Sequence, residues 1–78
     1  MLTFELNPNH DELTIHTDAE GLQELQKQLG FLLKGSSHVH MMTPAWGGNE
    51  LTEDHQAENT TLLSKVTIFR WRDSPTTT

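Results

Sequence analysis

The hydrophobic periodicity of this chain changes twice, and the order of those changes limits the folds open to it. Residues 2 to 6, LTFEL, alternate apolar Leu2, Phe4 and Leu6 with polar Thr3 and Glu5, the period of a half-buried strand. Residues 12 to 16, ELTIH, alternate again, with Leu13 and Ile15 on one side and Thr14 and His16 on the other. The NPNHD between them has turn chemistry, so the pair reads as a hairpin. From 18 to 34 the period becomes helical, with Leu22, Leu25, Leu29, Leu32 and Leu33 three and four apart. Thr17 or Asp18 offers the N-cap, and Gly35 suits the left-handed position after the last turn. Alternation returns in HVHMM, residues 38 to 42, and LLSKVTIFRW, residues 62 to 71, is the strongest strand signal because it joins β-branched and aromatic residues.

This order predicts an α+β fold: a four-stranded, mainly antiparallel sheet (β-β-α-β-β) with one helix packed on one face. Residues 1–72 are expected to form one domain and residues 73–78, which lack apolar side chains, a frayed tail. A helix after the second strand returns the chain parallel to it, which gives the expected strand order 2-1-3-4. One helix leaves one sheet face open. On that face belong Thr3, Glu5, Thr14 and His16, with His38 and His40, while Val39, Met41, Val66 and Ile68 turn inward and Thr67, Phe69 and Trp71 outward. The core must be small, because a chain of 78 residues buries only about 60 to 65% of the surface its unfolded form exposes.

Composition removes several functions. Eleven acids against five bases give a formal charge of −6, the wrong sign for a nucleic-acid partner and the right one for fast capture of a basic protein. There is no cysteine, which excludes thiol nucleophiles, disulfides and thiolate zinc sites and fits a reducing, cytoplasmic setting. The longest apolar run is Phe31 to Leu33, so neither a signal peptide nor a membrane span is expected.

The histidines supply one alternative. His38 and His40 lie two apart on a strand, so both imidazoles leave one face and could chelate a metal with His16 as a third ligand. No carboxylate follows at a familiar metal-site spacing, a two-histidine match is weak, and polar strand residues hydrogen-bonded at a sheet surface account for the pattern better. A small histidine-dependent metal protein or enzyme is therefore the alternative reading, and no resident cofactor and no catalytic residue is expected. A further alternative is a structural subunit, a homodimer joined through the open sheet face.

The segment from Thr43 to about Thr60 is long for so small a chain, and loops of this length are usually functional or disordered. Trp46 in it has two readings. Either it folds back as a core anchor while Gly47 and Gly48 turn the chain, or the loop displays Trp46, Asn49 and the acids Glu50, Glu53, Asp54 and Glu58 to a partner. No basic residue lies between 43 and 64, which favours display to a basic surface. These six are the candidate partner-binding residues, with Trp71 and Arg70 as further anchors.

The pattern HVHMMTPAWGGNELTEDHQ followed by KVTIFRW resembles the immunity protein 32 family of bacterial polymorphic toxin systems. The similarity runs from about Leu13 through Trp71 and is most specific in HVHMMTPAWGGNELT. It implies a small cytoplasmic α+β protein that neutralises a cognate toxin by occlusion and has no catalysis of its own. It carries no residue map of the toxin contact.

Overall fold

The computed structural model describes residues 1–73; the expectation for the tail beyond Asp73 lies outside the described residues. The chain is α+β, with strands β1 (Leu2–Leu6) and β2 (Leu13–Thr17), helix α1 (Ala19–Leu33), strand β3 (His38–Met42), a short 3-10 helix (Pro44–Trp46), and strands β4 (Thr61–Leu62) and β5 (Lys65–Phe69). The strands form two antiparallel sheets, β2-β1-β4 and β3-β5, rather than one four-stranded sheet.

The expected single strand over 62–71 is broken at Leu63 and Ser64. Its first part pairs with β1 and its second with β3, and the backbone bonds Leu63 N to Phe4 O (2.9 Å) and Thr43 N to Ser64 O (3.0 Å) carry it across the gap. The C-terminal strand pair thus lies between β1 and β3, which replaces the expected order 2-1-3-4. The loop after β3 is long enough to allow this return. It also supplies the second seam, where Leu51 N donates to Met42 O and Thr52 N to Leu2 O.

Leu2, Phe4, Met41 and Leu51 form the core, with Leu25, Leu63, Val66 and Ile68 packed against it. Alternation in β3 and β5 is as the sequence indicates: Val39 and Met41 are buried, and the paired residues His38 and Phe69, and His40 and Thr67, share the opposite face.

The helix departs from its leucine stripe. Asp18 is the N-cap, its Oδ1 accepting from Gly21 N at 2.8 Å. The side buried is Gly21, Leu25, Gln28 and Leu32, spaced four, three and four, whereas Leu22, Leu29 and Leu33 are exposed. Gly21 sets this roll. A Cβ there would overlap the Met1 carbonyl, so only glycine lets the first turn approach the start of β1. At the other end Arg70 Nη1 donates to Leu32 O (2.7 Å), placing a cation on the negative end of the helix dipole.

Candidate functional site

Alternation along β1 sends Leu2 and Phe4 to the core and Thr3 and Glu5 to the other face. That face was expected to be open, yet Thr3 is fully buried and Glu5 is 1% exposed. The cause is the loop of residues 43–60, which folds back over it. Glu5 is its anchor. Oε2 accepts from Thr3 Oγ1 (2.6 Å) and Gln56 N (3.0 Å), and Oε1 from Thr60 Oγ1 (2.6 Å) and Ala57 N (3.3 Å). Desolvation is the largest single influence and acts to raise the Glu5 pKa, but the bonds from Thr3, Thr60, Gln56 and Ala57 together outweigh it and lower it from 4.5 to about 2. The carboxylate therefore stays ionised inside the fold with hydrogen bonds in place of a cation.

The first half of the loop has its own supports. Gly47 closes the 3-10 helix with φ +83°, a left-handed conformation that glycine adopts without strain. A Cβ on Gly48 would overlap the Met42 carbonyl and stand 2.7 Å from Met42 Cβ, so the chain can pass the end of β3 only as glycine. Glu53 Oε1 accepts from Ala45 N at 2.5 Å, and Glu50 Oε1 accepts from Met42 N at 3.0 Å.

These bonds divide the six candidate residues. Trp46 is 62% exposed, so it is not a core anchor, and Asn49, Asp54 and Glu58 are also exposed. Glu50 is half-buried and Glu53, though exposed, holds Ala45; both are loop braces as well as surface charges. Of the further anchors, Trp71 is exposed, whereas the Arg70 guanidinium is committed to the end of α1.

A cleft of about 360 Å³ opens where the loop meets the first turns of α1, lined by Glu20, Glu24, Lys27, Asn49, Glu50 and Thr52 among others. Glu20 and Glu24 extend the acidic surface onto the helix. They stand four apart, a helical neighbour spacing that can be read from the chain, but their meeting with the loop depends on the roll fixed by Gly21. Glu5, expected on the open face, is instead buried as the loop's anchor, because a carboxylate on the polar side of a strand reads as solvated.

The histidines separate. His38 and His40 lie together on the exposed face of β3, with ring centres 4.9 Å apart. His16 belongs to the other sheet, paired with Thr3, and its Nε2 is buried without a hydrogen-bond partner. Among the described residues, no group of three or more histidines and acids converges as metal ligands, and no helix is long and apolar enough to cross a membrane. Comparison with family models, curated proteins and solved structures returns no match.

Proposed function

We propose that this chain is a cytoplasmic protein-binding module of the immunity type, which neutralises a toxin domain with a basic surface by covering it and performs no catalysis. The observation that carries the reading is an exposed tryptophan on a loop braced from within. Trp46 follows Ala45, whose amide is held by Glu53, and precedes Gly47 and Gly48, while the far half of the loop is tied to Glu5. An aromatic side chain presented on a pre-shaped loop loses little freedom on binding, which is the property of an interface anchor. Asn49, Asp54 and Glu58 are exposed on the same loop, and Glu20 lines the cleft beside Asn49 and Glu50, which adds acidic and polar surface suited to a basic partner.

Co-expression with the C-terminal domain encoded by the neighbouring open reading frame tests this. Protection of growth by the wild-type chain, abolished by Trp46→Ala with the fold intact by circular dichroism, is the expected result. Equal protection by Trp46→Ala, or a neighbouring product that is harmless alone, removes the proposal.

Self-association is a second reading, favoured by the exposure of Leu33 (81%), Phe69 (61%) and Trp71 (82%). Sedimentation equilibrium across a wide concentration range decides it, a constant monomer mass being the negative result.

A further inference from the structure

We propose that His38 and His40 form a two-ligand site for one borderline-soft divalent ion, of the Zn²⁺, Ni²⁺ or Cu²⁺ class, on the exposed face of the β3-β5 sheet. Both side chains leave β3 on that face, and both are exposed.

The spacing of the rings carries the argument. An imidazole nitrogen binds zinc at about 2.0 to 2.1 Å, which puts the ring centre roughly 3.2 Å from the metal; two rings at bond angles of about 90 to 110° then have centres about 4.5 to 5.2 Å apart. The observed separation is 4.9 Å. The rings meet edge to face, and His38 also packs against Phe69 at 5.5 Å, so the two imidazoles are already neighbours within the span that one shared ion requires.

The outer partners fit the same chemistry. Ser37 Oγ lies 3.0 Å from His38 Nδ1, and Thr67 Oγ1 lies 2.9 Å from His40 Nδ1. A hydroxyl that accepts the Nδ1 proton leaves the Nε2 lone pair free, the arrangement by which second-layer groups fix histidine ligands. The face also explains why the set stops at two. Its other members on β3 and β5 are Met42, Lys65, Thr67 and Phe69, none of them a carboxylate, so water completes the coordination. His16 plays no part.

Calorimetric titration of the full chain with ZnCl₂ and NiCl₂ tests the site. The expected result is a saturable heat with one ion per chain, lost in His38→Ala and in His40→Ala and retained in His55→Ala. Thr67→Val, which removes only the hydroxyl beside His40, is expected to weaken binding by about tenfold. Nuclear magnetic resonance of the same variants supplies a second readout, since Ni²⁺ broadening should centre on the His38 and His40 rings. No saturable heat at millimolar ion, or heat and broadening that survive in His38→Ala/His40→Ala, would overturn the proposal.

Discussion

Thr60 Oγ1 donates to Glu5 Oε1 at 2.6 Å, joining the end of the long loop to the middle of the first strand across a sequence separation of 55 residues. The same carboxylate receives three further donors. Loop shape and β1 are thereby coupled, and a change at either end is felt at the other.

Glu5→Gln is the sharpest test of that coupling. Each carboxylate oxygen receives two donors, so whichever way the new amide turns, its NH₂ faces two groups that can only donate or would have to reverse. A loss of about 3 kcal/mol is expected, because donors to a buried charge are left unpaired. Urea denaturation at neutral pH measures it.

The acid limb of stability should carry the mark of the same group. The folded-state pKa of Glu5 is lowered from 4.5 to about 2, so its contribution is complete above pH 4.5 and is lost as pH falls from there through about 2. Wild type should therefore lose its advantage over Glu5→Gln within that window. Parallel chemical denaturation curves at pH 6, 4 and 2.5 compare the two, and a constant difference across the series would refute the assignment.

Two helix glycines should respond in opposite directions to alanine. Gly21→Ala drives a methyl group into the Met1 carbonyl and is expected to destabilise the fold by roughly 2 kcal/mol or more. Gly30→Ala meets nothing within 4 Å and should stabilise by about 0.5 to 1 kcal/mol through helix propensity. Thermal denaturation followed at 222 nm separates them.

Surface and brace are separable within the loop. Trp46→Ala should change stability by no more than about 0.5 kcal/mol, as expected for an exposed side chain, whereas Gly48→Ala forces the loop away from Met42 and should cost more than that. Asp54→Lys/Glu58→Lys should leave the melting temperature unchanged and slow association with a basic partner, most strongly at low salt. Glu50 and Glu53 are unsuitable for this charge reversal because they hold Met42 and Ala45.

Local periodicity was sufficient for β1, β2, α1 and β3. Alternation in LTFEL, ELTIH and HVHMM marks β1, β2 and β3, and the outward facing of His38 and His40 follows from the buried Val39 and Met41. What the chain does not display is decided between distant segments. The roll of α1 is set by contact of Gly21 with Met1, against the pull of Leu22, Leu29 and Leu33. The break at Leu63 and Ser64 arises because β1 and β3 each take part of one strand. Glu5 looks solvated until the loop that covers it is placed. In the candidate site, Trp46 and the exposed acids were legible from composition and loop length, while the bracing roles of Glu50 and Glu53 needed their backbone partners to be seen.

The seams that join β1 to residues 52 and 56–63 impose an order of events on synthesis. A ribosome delivers the first strand early and the residues that cover its polar face some fifty positions later, so until then Glu5 has neither Gln56, Ala57 nor Thr60 to bind. Closing a connection of that span precedes any gain from it, which makes the loop's final shape a late product of folding. A nascent or truncated chain ending before Thr60 would carry Trp46 but not the completed surface around it.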